Sequence, residues 1–144
     1  GYRNRRGAIN RIGFHLVPPA DKLISCDAMC GNCVLIPDEV AKIVGNIAPM
    51  YRHKWGDVDY GMRAVKSGCQ IWVAPDYLAD CSGNPESDRW KLPGVPWRER
   101  LAELHSVKGL GKQDWFRFVR RHAGLMWPLV WLSPYVRILI NSSK

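Results

Sequence analysis

Trp55-Gly56-Asp57-Val58-Asp59-Tyr60-Gly61-Met62-Arg63 places two carboxylates two residues apart where a loop turns into a helix. The pattern predicts a helix over Asp59–Ser67, stopped by Gly68. Asp59 at its start is expected to cap it, accepting backbone N–H bonds. Asp57 would then be free to face a cleft, where a lone carboxylate can take a proton from a hydroxyl as general base. The plainer alternative makes both residues capping and solvated loop groups. Met62, Ala64 and Val65 are expected to face inward. Arg63 lies four residues beyond Asp59, the spacing of a helical ion pair.

Working outward, Cys33–Ile36 is a short apolar run ended by Pro37 and predicts a buried strand. Pro37-Asp38-Glu39 then opens a helix, with carboxylates in the first turn where the dipole favours them. Val40, Ile43 and Val44 would form its apolar face, and Gly45 would end it. Gln70–Ala74 predicts a second strand, stopped by Pro75. Residues 1–22, with Gly7, Gly13, Pro18 and Pro19, read as irregular, and Ala79–Pro96 as a long loop. Trp97–His105 predicts a helix with Arg100 and Glu103 exposed. Gln113–His122 predicts a stronger one, with Trp115, Phe116, Phe118 and Val119 along one side. Strands alternating with helices argue an α/β class. So few strands suit the later part of a doubly wound domain better than a whole one.

The net charge of +8, from 21 basic and 13 acidic residues, is unevenly distributed. Residues 1–88 hold ten of each sign, so residues 89–144 carry the whole excess, with five of the seven Trp. This excludes a uniformly basic nucleic-acid binder. In 108–144 the aromatic residues fall at helical core spacing and no RNA-binding signature is present, so no nucleic-acid partner is expected. Two readings stay open for this tail: a packed helix with a solvated basic face, or a helix lying on an anionic membrane. Leu125–Ile140 is the longest strongly apolar stretch, but Pro128, Ser133, Pro134 and Arg137 interrupt it. It falls short of the ~20 residues that a simple span needs.

Five cysteines, an odd number, with no secretory signal in view favour reduced thiols and a cytoplasmic setting. Cys26, Cys30 and Cys33 have the C-x-x-x-C-x-x-C spacing of some iron–sulfur loops, but Asn32 stands where an aromatic residue usually precedes the last Cys. A zinc site would need a fourth ligand from Cys69, Cys81, His53 or His15. A Cys-ligated metal protein is therefore the lesser alternative, and buried structural thiols the plainer reading.

Three segments in order, G-N-C-V-L-I-P-x-E-V from Gly31, G-D-V-D-Y-G-M-R-A-x-x-x-G from Gly56 and I-W-V-A-P from Ile71, resemble the acceptor-side half of family-2 glycosyltransferases with the GT-A fold. The resemblance covers residues 25–84 well and extends loosely to Tyr135. It implies a partial GT-A domain over 1–96 with a basic, Trp-rich helical extension over 97–144. It implies inverting transfer of a sugar from a nucleotide-sugar to a hydroxyl acceptor, in surface polysaccharide or glycolipid synthesis. Asp57 matches the catalytic base. Asp59 matches the second acid, Arg63 a basic residue facing the acids, and Gly31 a small residue that lets a sugar approach. Trp55 is placed with them at the substrate.

Two positions depart from the family pattern. Gly56 stands where the family has Glu, and Cys81 where a His is usual. A thiolate suits Mg or Mn poorly, so no metal ligand is assigned in this chain, with Asp80 the nearby oxygen donor. The intact enzyme is expected to use Mg or Mn, held on a donor-binding half that would precede Gly1. The expected partners are a nucleotide-sugar donor and a sugar or lipid-linked acceptor. The expected setting is the inner face of the cell membrane, peripherally attached through 108–144. A half-domain also leaves a sheet edge and an apolar face to cover, which suits a homo-oligomer. The alternative is a non-catalytic α/β interaction module.

Overall fold

The computed structural model describes residues 1–4, 12–78, 89–92 and 94–141. They form two small antiparallel sheets and five α-helices, a mixed α and β chain as the alternation predicts. Strands β1 (Tyr2–Asn4) and β2 (Phe14–Leu16) pair with Tyr2 opposite Leu16. Strands β3 (Ile24–Cys26) and β4 (Ile71–Val73) pair with Ile24 opposite Val73. A bridge between Tyr2 and Ala28 joins the two sheets' edges. The first 22 residues are thus not irregular throughout. Tyr2 and Phe14 supply the aromatic contact, centroids 6.3 Å apart, that holds the β1–β2 pair together.

Cys33–Ile36 is not a buried strand. The segment is irregular, and Leu35 is 93% exposed. An apolar run becomes a strand only where a partner strand and a covering face exist, and here the chain crosses the surface on its way to α1. Helix α1 (Asp38–Val44) has its acidic first turn and ends at Gly45, but it buries no residue, and Ile43 is exposed. Helix α2 (Gly56–Lys66) begins three residues earlier than predicted, so Asp59 lies inside it rather than at its cap. Its end follows the glycine logic. Gly68 has φ +87°, its N–H bonds the Val65 carbonyl and Cys69 N–H bonds that of Ala64. Val65 is exposed, while Ala64 is buried and Met62 packs on the core.

The remaining helices are α3 (Trp97–His105), α4 (Lys112–His122) and α5 (Trp127–Asn141). Trp115, Phe118 and Val119 of α4 are buried against Tyr51, Trp55 and Val58, and Val130 and Ile138 of α5 join the same cluster. One hydrophobic core therefore spans both sides of residue 96. Arg100 on α3 is the reverse of its prediction: it is 0% exposed. Its Nε donates to the Trp90 carbonyl at 2.8 Å and its Nη1 to that of Ile138 at 3.4 Å. The cation thus meets two main-chain carbonyls, one of which, that of Ile138, lies in the last turn of α5, the negative end of that helix. Helix α5 tolerates Pro134 at its centre. The ring has no N–H for the Val130 carbonyl, and Ser133 Oγ donates to that oxygen instead, at 2.8 Å. No helix of the described residues is long and apolar enough to cross a membrane.

α2 crosses the chain leaving β3 at Gly61. A Cβ at this position would lie 2.8 Å from Met29 N and 3.0 Å from Ala28 Cα. Both are backbone atoms and cannot swing aside. Gly61→Ala is expected to lower unfolding free energy by roughly 1–3 kcal/mol, read from urea denaturation; an unchanged midpoint would show that α2 can slide away from Met29.

Candidate functional site

Residues two apart on a helix face nearly opposite sides. With both Asp57 and Asp59 inside α2, the first turns toward the surface and the second into the core. Asp57 is partly exposed. Its Oδ2 accepts the Gly31 N–H at 2.7 Å and its Oδ1 the N–H of Val58 at 2.8 Å. The second bond satisfies one of the donors that the first turn of a helix leaves over, which Trp55, the residue before α2, does not do with its side chain. Gly31 lies close enough that a Cβ there would be 3.2 Å from Asp57 Cβ. The two residues, 26 apart in sequence, thus form one corner of the surface.

Asp59 is 0% exposed and gathers four side chains. Arg63 Nε donates to its Oδ2 at 2.9 Å. Its Oδ1 receives His122 Nε2 at 2.8 Å, Arg121 Nη1 at 3.2 Å and the Tyr51 hydroxyl at 3.3 Å. Burial alone would raise its pKa. The hydrogen bonds from His122 and Arg63, with the charges of Arg121 and His122, outweigh burial and hold it below the usual carboxylate range. Out of water and next to that anion, Tyr51 is pushed up to about 12 and stays a neutral donor. Arg63 also donates through Nη1 to the Val44 carbonyl at 2.6 Å and through Nη2 to that of Asn46 at 2.8 Å. It therefore ties the end of α1 to α2. The spacing predicts the Asp59–Arg63 pair; Tyr51, Arg121 and His122 were not foreseen. The only sequence signal for the last two is a basic cluster in the final turn of α4, where the dipole favours cations.

No family model, curated protein or solved structure matches this chain. Its site is read from its own residues.

Trp55 is buried rather than presented at the surface. Its ring stacks on Phe118 with centroids 4.4 Å apart, and its indole N–H donates to the Leu110 carbonyl at 2.9 Å. Gly31 and Asp57 are together at the surface, while Asp59 and Arg63 form a separate cluster beneath. Asp114 repeats the tethering role nearby, its Oδ2 accepting the Arg52 N–H at 2.9 Å. Among the described residues no three His, Cys, Asp or Glu side chains gather where they could hold a metal ion. Cys26 is buried, Cys30 half-buried and Cys33 exposed. Asp80 and Cys81 lie outside the described residues.

Replacing Asp59 by Asn leaves two guanidinium groups and an imidazole without their anion. Asp59→Asn is expected to lower stability by about 3–5 kcal/mol. Because the native pKa is depressed, the wild type's advantage is full above the unfolded-state value of about 4 and is lost as pH falls through the lower native value. Urea midpoints of both proteins from neutral to acid pH check this; parallel curves would remove Asp59 as the source.

Proposed function

We propose that this chain is the acceptor-side part of an inverting glycosyltransferase, with Asp57 as the base. The observation that supports it best is the Gly31–Asp57 corner. Gly31 opens the first of the three resembling segments and Asp57 stands in the second, and the two meet at 2.7 Å on the surface. Each carboxylate oxygen spends one lone pair on a backbone N–H and keeps another for a hydroxyl. The tether fixes the carboxylate's direction without filling the space in front of it. Gly31, having no side chain, leaves the approach to that oxygen open.

An acceptor hydroxyl seated at this corner gives its proton to Asp57 as its oxygen bonds to the anomeric carbon. The bond to the nucleotide diphosphate breaks on the opposite face, so configuration inverts. Asp59 and Arg63 act from below, keeping α2 and the end of α1 in place so that Asp57 points outward. The diphosphate leaves as an anion, and a Mg or Mn ion would supply the charge that stabilises it. The described residues do not form such a site, and the ion's ligands are proposed to lie elsewhere.

Assayed in the intact protein with donor and acceptor, Asp57→Asn is expected to lower kcat by ~100-fold or more, the usual contribution of a general base. Donor affinity, measured by calorimetry, is expected to stay unchanged. Near wild-type turnover would refute the assignment.

A further inference from the structure

Helix α5 is apolar on both sides. Trp127, Val130, Pro134 and Ile138 form the side that faces the core. Diametrically opposite, Leu129, Leu132, Val136, Leu139 and Ile140 fall in an arc of about 100° and are all exposed, Leu129 at 61% and Leu139 at 64%. Leu125, in the short turn before α5, is 98% exposed as well. A surface helix of a globular protein normally turns polar groups outward; α5 has only the narrow line of Ser133, Arg137 and Asn141, and its broad second apolar side is suited to a second apolar neighbour. At about 22 Å, α5 is too short to cross a bilayer core of about 30 Å.

The charge beside this row indicates the neighbour. Trp131, half-buried and about 100° round the helix from Leu132, forms a wall of an open cleft of about 810 Å³ whose other side carries Lys112, Arg117, Arg120 and Arg121 of α4. Arg121 is engaged by Asp59 at 3.2 Å, and Arg117 by the Met50 carbonyl at 2.8 Å. Lys112 and Arg120 are exposed and, among the described residues, have no ion-pair partner. Helix α5 itself has one charge, Arg137, and no acid. A basic cleft thus opens on the flank of an apolar row, the arrangement of a helix that lies in the plane of an anionic bilayer surface.

We propose that α5 docks this chain on an anionic lipid surface, the Leu129–Ile140 row entering the acyl boundary and the Lys112–Arg120 cleft facing the lipid phosphates. The docking holds independently of the reaction assigned to Asp57. It commits the row to lipid rather than to a second copy, because the charges beside it are basic and α5 has no acid with which another copy could meet them, whereas lipid phosphates complement them.

Flotation with vesicles of equal parts phosphatidylcholine and phosphatidylglycerol, against phosphatidylcholine alone, tests it. The wild type is expected to float with the mixed vesicles and to be released by high salt. Leu132→Asp with Leu139→Asp changes only exposed positions and is expected to cut the bound fraction ~10-fold with an unaltered circular-dichroism melt. Arg120→Ala is expected to weaken partitioning about 5-fold, the value of one basic residue near an anionic surface, on mixed vesicles only. Wild type that stays in solution with mixed vesicles, or a double Asp variant that floats like it, overturns the proposal. So does a concentration-dependent dimer that the double variant abolishes in a chain that binds no vesicles, which would make the row a contact between copies.

Discussion

A carboxylate removed from water persists only if its surroundings replace what water supplied, and the architecture around Asp59 is arranged to do so. The groups that replace water come from the loop before α2, from α2 itself and from the end of α4. Tyr51, Arg63, Arg121 and His122 all point at one side chain that is 0% exposed. Three of these partners also carry structure of their own, Tyr51 meeting the Phe118 ring edge-on at 6.4 Å. Arg63 closes the end of α1, and the ring of His122 lies 4.9 Å from that of Phe118 in the core. The position of α4 relative to α2 is therefore fixed by charge as well as by the packing of Trp55 on Phe118. Hydrophobic contact is non-directional and would let the helices slip; an ion pair with defined donors holds the register.

The outward surface is organised on the opposite principle. Asp57 takes its hydrogen bonds from backbone N–H groups and leaves its exposed side uncommitted. One turn of one helix thus contains a carboxylate enclosed by side chains and a carboxylate held at the surface by main-chain N–H groups. The helical geometry that separates them is set by their spacing of two residues.

Helices α1, α3 and α4 were legible because their punctuation is local. Pro37 and Pro96 precede first turns containing acids, and Gly45 stops α1, so no knowledge of distant residues is required. The start of α2 was misplaced because an Asp makes a good cap, and nothing near Asp59 in sequence reveals that Arg121 and His122, some sixty residues away, require it inside. Cys33–Ile36 reads as a strand although an apolar run says nothing about whether a partner strand exists. The charge of Arg100 predicts a place on the surface, although three carbons of side chain let its head reach carbonyls across the core. Helix α5 has only the narrow line of Ser133, Arg137 and Asn141 to give a period, and its two prolines obscure it further. Of the site, the Asp59–Arg63 pair followed from spacing, and the meeting of Gly31 with Asp57 is long-range and needed the fold.

The bond from Gly31 to Asp57 has its donor in the main chain, and this bears on how the corner can vary. No side-chain substitution at position 31 deletes that donor; only proline, which lacks the N–H, would. Other replacements keep the donor but press a Cβ to 3.2 Å from Asp57 Cβ and 3.3 Å from its Oδ2, closer than side chains ordinarily lie. The donor is thus insulated from most single-residue change, whereas the direction of the carboxylate it holds is not. A larger residue at position 31 would shift Asp57 itself before it narrowed the space in front of it.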